Sequence, residues 1–397
     1  MTSSTHLDDN SIYKDIHTIP GVEMKNGASL LTSVIKNFSL KPGSGMNSVQ
    51  CPPSILKRMS VLEMYALLAS PRSYLLQDWT KLSPEKRFLN VLRWFLEQQM
   101  YYPQKGLQEV KPYNPILGEE FKCSWDHQNS VSTCLCEQVK HHPPISSLYL
   151  ENKKWGFYYQ QTIQPLTTFW GTKTATTLEA DNRFKIVELD EEYTSQDPQA
   201  IMRNLLFGTS ILEHSDKMVV DCKKTGLYAV LQFPEKSNWS VNGFVFKRSE
   251  VEGEKATPLF KLEGSMRSTV DIINLKNQAK RAFAQYKDSP RHPEFEMQVK
   301  PVSEQAENES RRVWHDLTYH LVKRDLSAAS DAKTVVEEHQ RALRKQRPSD
   351  WKWKTHHKAK YFDNTGEIVG QGGTPKFEYK QRMTKDQRQD AEEEEMD

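Results

Sequence analysis

Two adjacent histidines, His141 and His142, stand directly before two adjacent prolines, Pro143 and Pro144. Imidazoles can ligate a metal, shuttle a proton or donate hydrogen bonds to an anion, so this pair could do chemistry. The prolines cannot donate a backbone N–H to a β-ladder, and they therefore interrupt the strand that leads into the pair. Neighbouring side chains on an extended chain point to opposite sides, so both rings reach one ligand only if the backbone turns there.

Three roles are open to this pair. The first is structural, with two satisfied imidazoles at a strand end. The second is a zinc site with Cys134 and Cys136 as further ligands, but the spacing is not that of a zinc finger or ribbon, and the sequence has no second Cys/His cluster. We therefore expect no stoichiometric zinc. The third is phosphate binding, in which the imidazoles donate to phosphate oxygens, more strongly when they are protonated.

The residues around the histidines distinguish between these roles. Residues 130–136 alternate polar side chains with apolar or thiol side chains, which is the pattern of a half-buried strand. Residues 137–146 spell EQVKHHPPIS and resemble the fingerprint E-Q-V-S-H-H-P-P of the oxysterol-binding-protein family of lipid exchangers. Lys140 stands where that family usually has serine. The resemblance favours phosphate binding over the structural and zinc interpretations.

Two further motifs lie far from the histidines. Residues 111–119 spell KPYNPILGE and look like the family's K-P-x-N-P-x-L-G-E stretch, a segment made rigid by its two prolines. Lys333, Glu337 and Arg341 stand four residues apart and share one face of a predicted helix. On their own, the first motif would be an ordinary turn and the second a solvated row of weak ion pairs. The row resembles the family's C-terminal headgroup ladder.

The resemblance implies a binding site for the phosphorylated inositol headgroup of a lipid. In this implied site, Lys333 and Arg341 bind phosphate, and Glu337 holds and orients these two cations. The residues predicted to bind the headgroup are Lys111, Asn114, His141, His142, Lys333, Glu337 and Arg341. The resemblance implies no catalytic residue, metal or other cofactor. A phospholipid hydrolase is the rival class, but neither G-x-S-x-G nor H-E-x-x-H occurs in the sequence.

Composition limits the class of protein. The chain has 397 residues, of which 37% are hydrophobic and 27% charged, enough for one large or two ordinary domains. Its formal net charge of +2 gives no overall field that would attract nucleic acid, so an anion site must be local. The five scattered cysteines indicate free thiols in a reducing cytosol. No apolar run approaches the length of a membrane span.

The N-terminal part of the chain is predicted to contain a lid. Residues 1–27 are polar and predicted to be disordered. Residues 28–58 are assigned to a lid and connector, because apolar side chains recur at helical spacing over residues 28–40. Such a helix could simply pack on the protein, or it could cover a lipid tunnel and touch membranes, as in the family. Its apolar face consists of Leu30, Leu31, Val34, Ile35 and Phe38.

The rest of the sequence divides into a helical region, a strand-rich region and a second helical region. Residues 59–102 are predicted to be helical, with a capping box at 60–63 that opens a helix to about residue 76. Strand signals dominate residues 119–264 without regular βαβ alternation, so we expect an antiparallel meander that closes into a large barrel. Residues 309–346 are predicted to form the C-terminal helices. The fold class is therefore mainly β with flanking helices, and the resemblance places a hydrophobic lipid tunnel inside the barrel.

The resemblance extends over nearly the whole predicted ordered region. It places the lipid-binding domain at residues 28–362 and leaves 363–397 as a mostly disordered charged tail. The chain resembles short family members that consist of the ligand-binding domain only. Met266 stands where the family usually has tryptophan, and residues 51–54 differ from the subgroup that carries phosphatidylserine.

The resemblance implies a cytosolic lipid-transfer protein that is not an enzyme. Such a protein binds phosphatidylinositol 4-phosphate and exchanges it for a sterol or phosphatidylserine between organelle membranes. We expect it to be a monomer that touches membrane surfaces transiently, at contacts of the endoplasmic reticulum, Golgi or plasma membrane, and that does not bind nucleic acid. A lipid sensor that binds without carrying is the alternative that the sequence leaves open.

Overall fold

The computed structural model describes residues 10–13, 43, 45, 53, 56–102, 104–105, 111–204, 209–249, 255–347, 358–370 and 373–384. Most of the predicted disordered N-terminus and the end of the charged tail lie outside these residues. The predicted lid face also lies outside them, namely Leu30, Leu31, Val34, Ile35 and Phe38.

The α-helices of the described residues flank a large sheet. They are α1 (Val61–Leu68), α2 (Pro84–Gln99), α3 (Ser310–Val313), α4 (His315–Val322) and α5 (Leu326–Lys345). The hydroxyls of Ser60 and Ser83 accept hydrogen bonds from the first turns of α1 and α2, as their sequences predict. The helix predicted to reach residue 76 ends earlier, because Pro71 disfavours helical backbone at the residue before it. None of these helices is long and apolar enough to cross a membrane.

Strands make up most of the described chain. Those outside the main sheet form two pairs, β1 (Leu56–Ser60) with β3 (Lys111–Tyr113) and β17 (Phe362–Val369) with β18 (Thr374–Tyr379). The main sheet contains β2 (Gln104–Lys105), β4 (Glu120–Asp126), β5 (Val131–His141), β6 (Pro144–Asn152), β7 (Phe157–Phe169), β8 (Thr174–Ile186), β9 (Glu191–Gln196), β10 (Gln199–Arg203), β11 (Ile211–Cys222), β12 (Leu227–Phe233), β13 (Ser240–Lys247), β14 (Thr257–Ser265), β15 (Thr269–Asn274) and β16 (Lys280–Gln285).

The main sheet is an antiparallel meander. Its order is β16-β15-β14-β13-β12-β11-β10-β8-β7-β6-β5-β4, so nearly every strand pairs with its neighbour in sequence. The predicted class, mainly β with flanking helices, is confirmed, and the large antiparallel meander is present, whereas its closure into a barrel stays a prediction. The sheet continues past the predicted limit at residue 264, because Val270 and Ile272 of β15 bury one face of the strand in the same core.

Helices α1 and α2 supply the sheet with its largest core. In α2, the Trp94 ring meets the rings of Tyr159 and Phe184 edge to face, at centroid distances of 4.8 and 5.4 Å. A second core lies between β1, β3 and the C-terminal helices, where Tyr113 and Trp314 pack with ring centroids 5.3 Å apart. This second core is the one that positions the candidate site.

Two segments predicted to be disordered are folded. Strands β17 and β18 form a hairpin within the predicted tail 363–397, because Phe362 and Phe377 are buried against Val139 and Ile145 of the main sheet. Residues 10–13 form a 3-10 turn within the predicted disordered segment 1–27. Both segments are short and polar on average, and only a distant part of the chain provides the apolar surface that orders them.

Candidate functional site

The two histidines sit at the tip of a hairpin. Strand β5 ends at His141 and β6 begins at Pro144, so the backbone reverses direction between them. The reversal brings the two imidazole rings together, with centroids 4.4 Å apart and planes inclined by 60°. The backbone therefore turns at the two histidines, which is what both rings need in order to reach one ligand.

A β-bulge decides which side of the sheet His141 faces. Gln138 pairs with Ser146, but two residues later Lys140 pairs with Ile145, so the register shifts by one residue. Cross-strand partners lie on the same face, and Ile145 and Ser146 lie on opposite faces. Lys140, which replaces the family's usual serine, is therefore on the opposite face from Gln138, whereas His141 is on the same face as Gln138.

Both imidazoles are neutral at physiological pH in this structure. Burial lowers the pKa of His141 to about 4, and repulsion from His142, Arg344 and Arg347 contributes in the same direction. Partial burial also lowers the pKa of His142, with further lowering by Arg344 and Arg347. Each ring therefore offers one donor and one acceptor nitrogen. The protonated imidazolium would be the stronger phosphate donor. It forms at this pH only if a bound anion raises the pKa values of the two histidines.

The predicted ladder is present on helix α5. The ammonium of Lys333 forms an ion pair with Glu337, and Arg341 Nη2 lies 3.4 Å from Glu337 Oε2. Lys333 is mostly covered, with 16% of its side chain exposed, whereas 46% of the Arg341 side chain is exposed. One carboxylate thus holds two cations in a row, as the resemblance implies for this motif.

The segment 111–119 is anchored by a buried carboxylate. Glu119 accepts hydrogen bonds from Ser60 Oγ at 2.5 Å, Ser310 Oγ at 2.7 Å, Trp314 Nε1 at 2.9 Å and the backbone N–H of Ile116 at 3.0 Å. Burial raises the pKa of Glu119, and these donors oppose that effect. The four bonds connect the segment to β1 and to the C-terminal helices, which fixes its path.

Lys111 and Asn114 are displayed by this anchored segment. Lys111 lies in β3, whose backbone pairs with β1, but its side chain forms no ion pair or hydrogen bond with another described residue, and Asn114 is exposed just after the strand. The side chains of Lys111 and Asn114 are thus not engaged by another described residue. Both side chains are therefore available to a ligand.

Backbone contacts bring the three motifs together. The N–H of Gly118 donates to the carbonyl of Gln138 at 3.0 Å, and the Gln138 N–H donates to Glu119 at 2.9 Å. The carbonyl of Pro115 lies against the His141 ring. Val336 of α5 packs against the same segment through the second core. The histidine hairpin, the segment 111–119 and helix α5 therefore form one site.

Sequence reasoning missed two cations of this site. Arg344 Nη1 lies 3.4 Å from His142 Nε2, and Arg347 is close enough to both histidines to lower their pKa values. The signal was present in the sequence, because Arg344 follows Arg341 by three residues and so continues the same helix face.

The glutamate and glutamine of the fingerprint shape the hairpin. The Glu137 carboxylate accepts from the backbone N–H groups of Lys360 and Tyr361, at 2.7 and 2.9 Å, which attaches the C-terminal hairpin. The Gln138 amide accepts from Ser146 Oγ at 2.6 Å and donates to the carbonyl of Lys140 at 2.7 Å, across the bulge. The sequence alone did not separate these structural positions from the neighbouring histidines.

The described residues offer no obvious metal centre. Cys123, Cys134, Cys136 and Cys222 are free and buried, and no three His, Cys, Asp or Glu side chains in the described ranges are grouped to hold a metal ion. That zinc does not bind in stoichiometric amount remains a prediction, to be checked by elemental analysis.

A family model decides the class of this protein. The model described as "Oxysterol-binding protein" matches residues 33–390 of the 397-residue chain. The chain belongs to the oxysterol-binding protein family. Members of this family are lipid-binding and lipid-transfer proteins rather than enzymes, so the hydrolase alternative is excluded.

Curated relatives of the oxysterol-binding protein family align over most of the chain. Oxysterol-binding protein-related protein 8 of Homo sapiens is 31% identical over 333 residues, which cover 82% of this chain and 37% of the relative. Oxysterol-binding protein-like protein OBPa of Candida albicans is 31% identical over 328 residues, covering 82% and 74%. Oxysterol-binding protein 4 of Dictyostelium discoideum is 30% identical over 328 residues, covering 80% and 69%. The chain thus spans little more than a third of the human relative's length.

Solved oxysterol-binding protein structures share the fold. The Osh1 ORD domain in complex with cholesterol superposes with a TM-score of 0.71 at 16% identity, covering 98% of both chains. The Osh3 ORD in complex with PI(4)P, from Saccharomyces cerevisiae, gives a TM-score of 0.65 at 17% identity, covering 95% of this chain and 96% of that one. These likenesses confirm the fold class.

The structure accommodates one departure from the oxysterol-binding protein pattern. Met266, where the family usually has tryptophan, is buried in the main core, and its N–H donates to the Trp239 carbonyl at 2.8 Å. Methionine is flexible enough to fill such a position. Of the second departure, residues 51–54, only Pro53 is among the described residues.

Proposed function

We propose that this protein binds phosphatidylinositol 4-phosphate and exchanges it for a sterol or phosphatidylserine between organelle membranes. The main support is the convergence of three motifs, from distant parts of the chain, at one site rich in cations and donors. The side chains that we assign to the headgroup are Lys111, Asn114, His141, His142, Lys333, Glu337 and Arg341.

The chemistry of the ligand matches these side chains. Phosphatidylinositol 4-phosphate carries a phosphodiester and a phosphomonoester on opposite parts of its inositol ring, so it needs separated donors rather than one cluster. Charge-assisted hydrogen bonds contribute about 1.5–3 kcal/mol each. Several such bonds would discriminate strongly against lipids that lack the monoester.

Glu337 orients the side chains of Lys333 and Arg341 before a ligand binds. Its carboxylate holds Lys333 on one side and Arg341 on the other before any lipid is present. Long cationic side chains lose conformational freedom when they bind, and a side chain that is already oriented loses less. We assign Lys333 and Arg341 to phosphate contacts and Glu337 to their orientation.

The second ligand is proposed from the relatives and from the energetics of transfer. The Osh1 ORD structure contains cholesterol, which supports a sterol, and phosphatidylserine is the alternative that the sequence resemblance implies. A lipid that leaves a bilayer alone exposes its chains to water at a cost of about 0.8 kcal/mol per methylene. An apolar tunnel inside the sheet would offset this cost for either lipid.

The proposed setting follows from exchange between membranes. We place the protein in the cytoplasm as a monomer that contacts the endoplasmic reticulum, Golgi or plasma membrane only transiently. Exchange requires repeated release from each membrane, and so weak peripheral contact suits the function better than stable anchoring.

A liposome assay tests this function. Donor liposomes contain labelled phosphatidylinositol 4-phosphate and acceptor liposomes contain a labelled sterol or phosphatidylserine, with protein far below the lipid concentration. Many lipids moved per protein identify a carrier, whereas retention of one lipid per protein identifies a sensor. Mass spectrometry of the lipid that co-purifies with the protein would identify the second ligand directly.

Removal of residues 1–40 is expected to make exchange inefficient. The connector after the predicted lid is attached to the main sheet, because the Gly43 N–H donates to the Phe169 carbonyl at 2.7 Å and Gly45 bridges Thr168 on β7. Beyond Ile163, β7 extends past its pairing with β6, at the same end of the sheet as the histidine hairpin. We propose that the lid upstream of Gly43 covers this end of the sheet and shields a bound lipid.

The transfer rate and the retention of lipid during gel filtration measure this effect. A truncated protein that transports at the full rate would show that the segment is dispensable packing. Deletion of residues 1–9 alone is the control, because it leaves the predicted lid in place.

Binding of phosphatidylinositol 4-phosphate is expected to strengthen as the pH falls from about 7.5 to 6. In the free protein, the pKa of His141 is about 4 and that of His142 is also lowered, so both are neutral in this range. A phosphate dianion beside them favours the imidazolium form and raises their pKa values in the complex. Protonation thus accompanies binding, and each proton taken up can tighten binding by at most about tenfold per pH unit.

The measurement is the dissociation constant at several pH values. Below pH 6 the gain levels off, because the phosphomonoester itself takes up a proton with a pKa of about 6. Binding of a sterol, which has no phosphate, should not change over the same range. A pH-independent affinity for the phosphoinositide would contradict a direct contact between the histidines and phosphate.

A further inference from the structure

A short segment near the start of the chain, Asn10–Tyr13, is docked on the C-terminal helices, and we call it the tyrosine segment. Its Ile12 and Tyr13 are buried, although everything that they contact is far away in the sequence. The surface that receives them is here called the helix groove and consists of Val302, Arg311, His315, Tyr319 and Val322. None of these residues belongs to the set that we assign to the headgroup.

The groove binds Tyr13 at its hydroxyl and over its ring. The hydroxyl donates to the carbonyl of Arg311 at 2.9 Å, and its oxygen lies 3.2 Å from Nδ1 of His315, a nitrogen that can donate to it. The Arg311 guanidinium lies over the ring, 4.6 Å from the ring centroid, and is held there by the buried carboxylate of Glu63 at 2.7 Å. Burial raises the pKa of the Tyr13 phenol, so the hydroxyl keeps its proton and remains a donor. The groove therefore recognises a tyrosine and not merely an apolar side chain.

The residues before Tyr13 add further contacts. Ile12 and Tyr13 form one apolar cluster with Val302, against which Tyr319 and Val322 pack. The Asn10 side-chain carbonyl accepts from the backbone N–H of Val302 at 2.9 Å. So short a segment binds weakly as a free peptide, because its ordering cost is large for the area that it buries. Covalent attachment offsets this cost, since it gives the segment an effective concentration of about millimolar.

Tyr13 bridges a break between two helices. Helix α3 ends at Val313 and α4 begins at His315, with Trp314 outside helical backbone between them. Tyr13 contacts Arg311 on one side of this break and His315 on the other. Short helices are marginal by themselves, so the orientation of α4 depends on contacts of this kind.

Helix α4 connects the groove to the ladder. His315, Tyr319 and Val322 lie on one face of α4, at intervals of four and three residues. Leu317 and Leu321 lie on another face, in the second core, which also receives α5. The tyrosine segment and the helix that carries the ladder therefore pack against two faces of the same short helix.

We propose that the helix groove is a binding site for a short tyrosine-bearing segment, which Asn10–Tyr13 of the same chain occupies, and that this docking fixes α4 and thereby the ladder on α5. Tyr13 then acts as a positioning residue through Arg311 and His315, not by contact with a lipid. The statement about the ladder rests on the proposed function, whereas the docking itself does not.

Hydrogen exchange and lipid binding test the two parts separately in the full chain. The exchange rate of the Val302 amide reports docking, because this N–H is bonded to Asn10. Tyr13→Ala removes the ring and the hydroxyl, whereas Tyr13→Phe keeps the ring. Tyr228→Ala is the control, because Tyr228 is a partly exposed tyrosine of β12 outside the groove. A synthetic peptide of residues 8–15 is added in trans, and the same peptide with Tyr13→Ala is its control.

Loss of the tyrosine should release the segment. Tyr13→Ala should speed exchange of the Val302 amide by roughly tenfold to a hundredfold, and Tyr13→Phe by roughly twofold to tenfold, since only hydrogen bonds of the hydroxyl are lost. Binding of phosphatidylinositol 4-phosphate in liposomes should weaken by roughly threefold to tenfold in Tyr13→Ala, because the ladder is present but less well oriented. The tyrosine peptide should restore protection and lipid binding, its alanine form should restore neither, and Tyr228→Ala should change neither.

Three results would overturn the inference. Unchanged exchange of the Val302 amide in Tyr13→Ala would show that the groove is not a docking site. Faster exchange that the tyrosine peptide does not reverse would show general destabilisation instead of docking. Faster exchange with unchanged binding of phosphatidylinositol 4-phosphate would refute the effect on the ladder. Failure of the wild-type protein to bind this lipid would remove the proposed function and the ladder statement with it, whereas the exchange and peptide results would still decide the docking.

Discussion

Replacement of His141 and His142 by alanine is expected to abolish extraction of phosphatidylinositol 4-phosphate while the protein stays folded. The two rings lie 4.4 Å apart at a hairpin tip, where both can donate to one phosphate. Loss of two charge-assisted bonds, each of about 1.5–3 kcal/mol, would weaken binding by roughly a hundredfold to ten-thousandfold. The measurement is the fraction of lipid extracted from liposomes at a fixed protein concentration.

The stability of the double variant should change little. His142 is exposed and His141 is only partly covered, and neither belongs to a hydrophobic core of the described residues. Circular dichroism and thermal unfolding would verify the fold. His339→Ala is the matched control, because His339 is an exposed histidine of helix α5 outside the assigned set. Unchanged extraction by the folded double variant would refute the assignment of the histidines.

The Arg341→Ala variant should distinguish three lipids. If Arg341 contacts phosphate, its loss weakens phosphatidylinositol 4-phosphate by about 1.5–3 kcal/mol, or roughly tenfold to a hundredfold. A sterol has no phosphate and should lose almost nothing. Phosphatidylserine, with one phosphodiester and a carboxylate, should lose an intermediate amount if it binds at the same site. The dissociation constants of the three lipids are the measurement.

The competing interpretation gives the opposite result. Nearly half of the Arg341 side chain is exposed, and its ion pair with Glu337 is 3.4 Å long. An exposed pair of this kind contributes about 0–1 kcal/mol to stability, so a merely solvated ladder would leave all three affinities unchanged. Equal loss for all three lipids together with unfolding would show a structural role. Arg281→Ala is the control, because Arg281 is an exposed arginine on β16, at the other end of the strand order from the histidine hairpin.

Local sequence signals predicted several elements well. The caps at Ser60 and Ser83, the strand pattern of residues 130–136 and the helix that carries Lys333 and Arg341 are all present. Each depends on a side chain and its neighbours within a few residues, which the sequence displays directly. The motif resemblance also identified the family, since short spacings of unusual residues are specific.

Boundaries and packing partners were less predictable. The C-terminal hairpin lies in the segment that the sequence predicts to be a disordered tail, and its order depends on Phe377, which packs on β5 and β6 after more than two hundred intervening residues. A short polar hairpin is marginal by itself, and only tertiary contacts stabilise it. The sequence contained the aromatic residues but not the surface that receives them.

The electrostatic state of the site also depended on the fold. The histidines would have ordinary pKa values in an isolated peptide, whereas burial and Arg344 lower them here. The β-bulge between Gln138 and Lys140 determines which face His141 occupies, although the local alternation of residues gives no sign of it. The first effect involves Arg344, which is remote in sequence, and the second arises from the pairing of β5 with β6.

The sequence by itself therefore determined which residues carry the chemistry, and the tertiary structure determined how they meet. Residue types and short spacings specify donors, cations, caps and strand faces, because these properties are local. The convergence of the histidine hairpin, the segment anchored by Glu119 and helix α5 follows from strand register and from the core around Tyr113 and Trp314. Register and core packing are set by contacts between distant residues, and a linear pattern does not contain them.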